Sequence, residues 1–236
     1  MSKQNFPWRP SGSLSIAGMD EAGRGALAGP VVAGACLISC DLFHRRAPLP
    51  CWAPDRRMNE ILITDSKQLT PDQREHAYAW IISRCAWGIG IIGADVIDAK
   101  GILRATELAM RSALDDLRSQ STVDHLLVDG RDRFTFDCPH SSLVRGDALD
   151  PCIAAGSIIA KVTRDRLMIG LAERYPLYGF ELHKGYGSEE HTRIIRERGP
   201  CEIHRRSFLT KILTEQLSFL ASSTSTATRR SAATGA

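Results

Sequence analysis

No Cys-x-x-Cys pair occurs in the 236 residues, and the seven cysteines are an odd number. That pattern argues against a disulfide framework and for reduced thiols in a cytosolic enzyme. No apolar run is long enough to span a membrane; the longest, Val31 to Ile38, is short and contains Gly34. The opening Met1-Ser2-Lys3-Gln4-Asn5 leads into no apolar segment of the kind a secretory signal needs. There is no internal repeat and no G-x-x-x-x-G-K-[ST] phosphate loop. Neither sign of charge dominates: a net +3 permits a polyanionic partner without demanding one. Charged residues at 24% and hydrophobic ones at 43% are ordinary for a globular protein, and the length suffices for one substantial core or two small ones. The expectation is a soluble, cytoplasmic protein.

What is present is an alternation of strand and helix patterns. Residues 1–13 carry Pro7, Pro10 and Gly12 without periodicity and read as a flexible leader. Leu14 to Met19 alternates as a half-buried strand does, and Val31 to Ile38 reads as its hairpin partner. Residues 39–63 hold Pro48, Pro50 and Pro54 among clustered basic residues and suggest an elaborated loop. Thr70-Pro71-Asp72-Gln73 combines an N-cap, a proline at the first helical position and a capping-box glutamine, opening a helix expected to reach Arg84. A strand is expected over Trp87 to Val96, a helix over Ile102 to Arg118, and a short strand over Val123 to Val128. Asp150-Pro151 opens a helix to about Arg174, Ser188 caps one that stops at Gly199-Pro200, and Phe208, Leu209, Ile212, Leu213 and Leu217 mark a last amphipathic helix. This order indicates an α/β sheet over 14–174 and a C-terminal helical region over 175–221. The Ser/Thr/Ala/Arg-rich residues 222–236 read as a disordered tail.

The chemistry concentrates at Asp20-Glu21-Ala22-Gly23-Arg24-Gly25. Successive strand side chains point to opposite faces, so Asp20 and Glu21 serve one site only if the strand bends, a freedom that Gly23 and Gly25 supply. Two carboxylates forced together repel, and a hard divalent cation held by oxygen ligands is the simplest remedy. The alternative is a charged turn ending an edge strand. Asp129 closes an apolar strand before Gly130, where open α/β sheets place their ligand sites, and Asp147 follows Gly146. Either acid alone reads more readily as a turn or cap residue than as a ligand. Ser66 and Lys67 stand in a turn before the Thr70 cap, where hydroxyl, amine and backbone donors can gather on a phosphate. Lys161 shares a helix face with Ser157 and Asp165, which also allows a plain surface ion pair. Tyr186 lies between Gly185 and Gly187, beside Lys184, poor core material but a fit stacking platform.

Taken in order with Asp65-Ser66-Lys67-Gln68-Leu69, Ala160-Lys161-Val162-Thr163-Arg164-Asp165 and His183-Lys184-Gly185-Tyr186-Gly187, these stretches resemble bacterial ribonuclease HII, the type 2 ribonuclease H, from about Ile16 to about Phe208. The resemblance implies a ribonuclease H-like α/β fold: a mixed sheet flanked by helices, with the C-terminal helical region helping to bind substrate. It implies an endoribonuclease that cuts the RNA strand of RNA–DNA hybrids and cleaves 5′ of single ribonucleotides in duplex DNA, leaving 3′-hydroxyl and 5′-phosphate ends, as ribonucleotide excision repair requires. Asp20, Glu21, Asp129 and Asp147 would be the catalytic, metal-holding acids. Two Mn²⁺ or Mg²⁺ ions about 4 Å apart would activate water and stabilise the leaving 3′-oxygen. Gly23, Arg24 and Gly25 would read the 2′-hydroxyl and adjacent phosphate, with Ser66, Lys67, Lys161 and Tyr186 completing the substrate contacts. A counterion to Asp20 or Glu21 is the other reading of Arg24, compatible with the substrate contact that the resemblance favours. No membrane or second subunit is implied.

Other motifs are set aside. Gly88-Ile89-Gly90-Ile91-Ile92-Gly93 matches a dinucleotide fingerprint but falls in an apolar β-type stretch, with the next helix expected only near residue 100. Cys36, Cys40, His44 and Cys51 are irregularly spaced for zinc. Against the family's usual pattern, Arg145 replaces a lysine, Cys152 a serine and Gly156 an alanine; these changes bear on the packing of the 151–173 helix and leave the acids intact.

Overall fold

The computed structural model describes residues 15–39 and 63–214. The leader, most of the 39–63 loop with Cys40, His44 and Cys51, and the tail lie outside the described residues. By contact, the chain forms two units. One comprises residues up to Arg24 together with Pro30–Leu167; the other comprises Gly25–Gly29 together with Met168 onward.

The first unit is built on a five-stranded sheet. Strands β1 (Ile16–Ala22), β2 (Val31–Leu37), β3 (Ala86–Ile92), β4 (His125–Asp129) and β5 (His140–Leu143) lie in the order β3-β2-β1-β4-β5. The pairs β1–β2 and β2–β3 are antiparallel, and β1–β4 and β4–β5 parallel. Helices α1 (Pro71–Arg84), α2 (Ala94–Lys100), α3 (Ile102–Arg118), α4 (Gly146–Leu149) and α5 (Pro151–Arg174) complete it, α5 running on into the second unit.

Missing side chains let helices approach both faces of the sheet. A Cβ on Gly34 of β2 would fall 2.3 Å from the Gly156 carbonyl oxygen of α5. On the neighbouring β3, Cβ atoms on Gly88 and Gly90 would fall 2.1 and 1.9 Å from the carbonyls of Ala113 and Ala109 on α3. Gly34 pairs with Ile89, whereas Ala35 and Ala33 pair with Gly88 and Gly90, so the alternation of a pleated strand puts α5 and α3 on opposite faces. The first two fingerprint glycines are therefore in-strand residues that admit a helix, not a phosphate loop. The third, Gly93, is the N-cap of α2. This corrects the expected strand to Val96: strand pairing stops at Ile92, and Ala94 already belongs to a helix. On the α5 side, Ala77, Tyr78 and Ile81 of α1 cluster with Cys36, Ala155, Ile158, Ile159 and Val162. The capping box forms as expected, with Thr70 Oγ1 accepting from Gln73 N at 3.2 Å and Gln73 Oε1 accepting from Thr70 N at 2.9 Å.

The second unit contains α6 (Phe180–His183), α7 (Glu189–Arg198), a helical stretch over 206–214 and the end of α5. Its core joins Ala28, Met168, Ala172, Tyr178, Phe180 and Ile194. Ser188 caps α7 and Gly199 terminates it. The segment Gly25–Gly29 is fixed by backbone bonds, with Gly29 N donating to Ile203 O at 2.9 Å and Arg205 N to Leu27 O at 2.8 Å. The buried Arg205 adds an Nε bond of 3.0 Å to Gly29 O. No helix among the described residues is long and apolar enough to cross a membrane.

Candidate active site

The parallel register of the central strands creates the site. Met19 of β1 pairs with Val128 of β4, so the next residues along, Asp20 and Asp129, emerge side by side. The bend expected at the acids is absent: strand β1 continues through both to Ala22, and the turn comes only at Gly23, where φ is +93°. Asp20 is buried, and its Oδ1 accepts from Glu21 N at 2.7 Å. Asp129 Oδ1 accepts from Gly146 N at 2.6 Å, which ties β4 to the start of α4. Asp147, the next residue, is buried in the first turn of that helix.

The electrostatics follow from this proximity. Burial, then the charges of Glu21 and Asp129, hold the Asp20 carboxyl well above the usual carboxylate range, against the opposing effect of a hydrogen bond from Ser157. Burial likewise raises Glu21, with Arg24 opposing and Asp129 and Asp132 adding to the rise. Asp147 is pushed up to about 6 by burial and by Asp129 and Asp65, with Lys67 opposing. Burial disfavours the Lys67 ammonium, yet Asp20, Asp65, Asp147 and Asp129 outweigh it and raise its pKa. One lysine thus faces the acidic cluster, which leaves several like charges in one another's field.

Sequence reasoning missed several supports. Ser157 of α5 bonds Asp20 and lies 3.0 Å, hydroxyl to hydroxyl, from the buried Ser66. Arg24 is held by Asp132, with Nη1 2.6 Å from its Oδ2 and 3.3 Å from Glu21 Oε1. Asp132 lies 108 positions from Arg24, and no periodicity or motif marks it. Gly23 leaves room for Arg164, a fully buried arginine whose Nε donates to Pro30 O at 2.9 Å. By contrast, the Lys161–Asp165 pair that the helical spacing allowed does form, at 2.7 Å. The structure therefore gathers Asp20, Glu21, Asp129, Asp147, Ser66 and Lys67 around one end of the central strands, with Arg24 tied to Glu21. Gly25 and Tyr186 belong to the second unit, where a Cβ on Gly25 would meet open space and the Tyr186 ring is partly exposed.

A raised carboxyl destabilises the metal-free fold wherever the group is ionised. Asp147 is charged above pH 6 in both folded and unfolded states, and the folded state carries the strain. As pH falls through 6 towards 4, the folded state takes up its proton first and the strain disappears. Asp147→Asn should thus exceed the parent in stability by on the order of 2 kcal/mol at pH 7, with the gap shrinking towards pH 4. Urea unfolding of both proteins in chelator across that range checks it; a gap that stays constant with pH would show that Asp147 is not strained.

Known proteins agree with this architecture. The family model for ribonuclease HII matches residues 17–211. Ribonuclease HII of Bacillus velezensis is 48% identical over 195 residues, covering 82% of this chain and 69% of that one. The crystal structure of ribonuclease H2 from Pyrococcus horikoshii OT3 superposes with a TM-score of 0.64 at 28% identity, over 86% of this chain and 98% of that one. Bst-RNase HIII, solved in complex with Mn²⁺, shares the fold with a TM-score of 0.62 at 20% identity, over 87% and 71% of the two chains. With the acids on adjacent parallel strands of a ribonuclease H-like sheet, the chain belongs to the ribonuclease HII family of ribonuclease H enzymes, which cleave the RNA of RNA–DNA hybrids.

Proposed function

We propose that the protein cleaves on the 5′ side of ribonucleotides, including single ones embedded in duplex DNA, leaving 3′-hydroxyl and 5′-phosphate ends, with two divalent cations held by Asp20, Glu21, Asp129 and Asp147. The observation that carries this is the strain on Asp20, Glu21 and Asp147, whose pKa values rise through burial and the charges of neighbouring acids, Asp129 among them. A purely structural or binding role gains nothing from such strain. Among the described residues no group of three or more His, Cys, Asp or Glu is placed to hold a metal ion without further ligands. Mg²⁺ and Mn²⁺ take a few carboxylates supplemented by water and substrate phosphate oxygens, so the four acids would supply only part of each ion's shell. The bound cations would supply an activated water and charge neutralisation at the phosphate. A Mn²⁺ complex of a protein with the same fold is in keeping with the choice of metal.

The chain's own groups provide the rest. Lys67 and the Ser66 turn offer positive charge and donors to a phosphate beside the acids. Arg24 is held by salt links to Asp132 and Glu21, and a phosphate can compete for it. Gly23 and Gly25 let backbone approach the sugar and its 2′-hydroxyl, the group that separates RNA from DNA. Lys161, with Asp165 four residues on, adds a further cation on α5 for a phosphate. The deciding assay uses a DNA duplex with one ribonucleotide, with Mn²⁺, with Mg²⁺ or with neither. Cleavage at the ribonucleotide should require a metal and vanish with the 2′-deoxy duplex; cleavage of the all-DNA duplex would refute sugar reading.

Tyr186 should set the preference for lone ribonucleotides by packing its ring on the neighbouring sugar. Tyr186→Phe keeps the ring and should keep most activity. Tyr186→Ala should lose ~1–3 kcal/mol on a single-ribonucleotide duplex, and less on a continuous hybrid where further nucleotides anchor the strand. Steady-state kcat/KM on both substrates reads the difference, and equal losses on the two would make Tyr186 a hinge residue instead.

A further inference from the structure

Tyr186 follows two residues in the left-handed region, Lys184 at φ +51° and Gly185 at φ +78°. A lysine there is costly, so the surrounding structure must hold the turn in place. Its holders are specific. Gly185 O accepts from Leu27 N at 2.8 Å and Ala28 N at 3.2 Å, and Tyr186 N donates to His183 O at 2.9 Å. Tyr186 O accepts twice, from Ser188 N at 2.9 Å and from the ring Nδ1 of His191 at 2.9 Å.

The second of these bonds begins a chain of imidazoles. A carbonyl only accepts, so His191 Nδ1 must carry the proton and Nε2 must be bare. His191 Nε2 lies 3.0 Å from His204 Nε2. On the far side, His204 Nδ1 receives Cys201 N at 3.0 Å, beside Cys201 Sγ at 3.1 Å, so His204 carries its proton on Nε2 and donates it to His191. The partners admit one tautomer for each ring, and every ring nitrogen is satisfied. Both rings are buried, and burial pushes both pKa values down to about 4, which keeps them neutral at physiological pH. The assembly is enclosed by aromatic rings: His183 stacks on His191 at 4.2 Å, Phe180 meets His191 edge-on at 5.5 Å, and Tyr178 lies 4.9 Å from His204.

We infer that His191, its ring oriented by His204, is a positioning residue: its Nδ1–H bond to the Tyr186 carbonyl fixes where the Tyr186 ring stands and so governs discrimination of a lone ribonucleotide from a continuous hybrid. The inference rests on the reading of Tyr186 as the residue that packs on the substrate sugar. Simple core filling would need only the volume of the rings, whereas positioning needs a donor at the Nδ1 position of residue 191.

Two substitutions separate those demands. His191→Asn keeps an N–H near the Nδ1 position, within reach of Tyr186 O. His191→Gln keeps a group near the Nε2 position facing His204 and loses the donor. The ratio of kcat/KM on a single-ribonucleotide duplex to that on a continuous hybrid should fall about tenfold in H191Q, the order of one lost hydrogen bond, and stay within about twofold in H191N. In a Tyr186→Ala background H191Q should lower the ratio no further. Nitrogen-15 NMR of the substrate-free parent should show His191 as the Nδ1–H tautomer and His204 as the Nε2–H tautomer. Equal ratios for H191Q and H191N, or a His191 ring protonated on Nε2, would overturn the positioning role of His191. A lowered ratio in Tyr186→Ala beside an unaltered one in H191Q overturns that role alone. An unaltered ratio in Tyr186→Ala overturns the reading of Tyr186 and the inference with it.

Discussion

Asp20→Asn and Asp129→Asn should each abolish cleavage while leaving the metal-free protein folded and, for Asp20, more stable. Asparagine has the shape of aspartate and retains a side-chain oxygen, so the bonds from Glu21 N to residue 20 and from Gly146 N to residue 129 can persist. Only the charge is lost. Asp20 is buried and held well above the usual carboxylate range by burial, Glu21 and Asp129, so neutralising it removes repulsion in the absence of metal. The same charge is what a cation would need at this position. Cation stabilisation of the transition state is worth several kcal/mol, so losing a ligand should cost on the order of 10³-fold in turnover. Turnover at saturating Mg²⁺, paired with urea unfolding in chelator, separates the two effects. Near-normal turnover in either variant would refute the assignment of these acids to metal binding. Lower stability of the metal-free Asp20 variant would show that its strain is misjudged.

The features legible in the sequence were those with local signals. Thr70, Pro71 and Gln73 announce α1 because capping is settled within four residues, and Ser188 with Gly199 brackets α7 for the same reason. The acids were visible because each borders a glycine or another acid, and Asp20, Glu21 and Asp129 also stand towards the end of an apolar strand. Helix α2 was hidden because Val96 and Ile97 extend the apolar run of β3, and its N-cap Gly93 offers no side-chain bond as a signal. Strand β5 was hidden because His140-Ser141-Ser142-Leu143 has little intrinsic strand character; it is a strand by its parallel pairing with β4. The partners of the candidate site residues were the least legible. Ser66 meets Ser157 across 91 positions and Arg24 meets Asp132 across 108, so their meeting depends on how the elements pack.

Gly23 is where the sequence reading and the structure give different reasons for one residue, and substitution tells them apart. From the sequence, a methyl group at 23 would intrude on the substrate sugar. In the structure it meets the protein first: a Cβ would lie 2.0 Å from Arg164 Nε, 2.5 Å from Cδ and 2.8 Å from Cζ, on a backbone with φ +93°. Arg164 has little room to retreat, being fully buried with Nε committed to Pro30 O. A non-glycine residue at positive φ costs ~1–3 kcal/mol and overpacking a further ~1–3 kcal/mol, so Gly23→Ala should destabilise the fold by about 3 kcal/mol. Activity should fall as well, because Arg24 is the next residue and its links to Glu21 and Asp132 depend on the same turn. Arg164→Ala removes the obstacle but not the dihedral strain. In that background Gly23→Ala should therefore cost only the ~1–3 kcal/mol of strain, and the two substitutions should be non-additive. Urea unfolding of the four proteins completes the cycle. Additive costs would remove Arg164 as the reason for glycine at this position, and a stable Gly23→Ala protein defective only on ribonucleotide substrates would restore the sugar as the group that demands it.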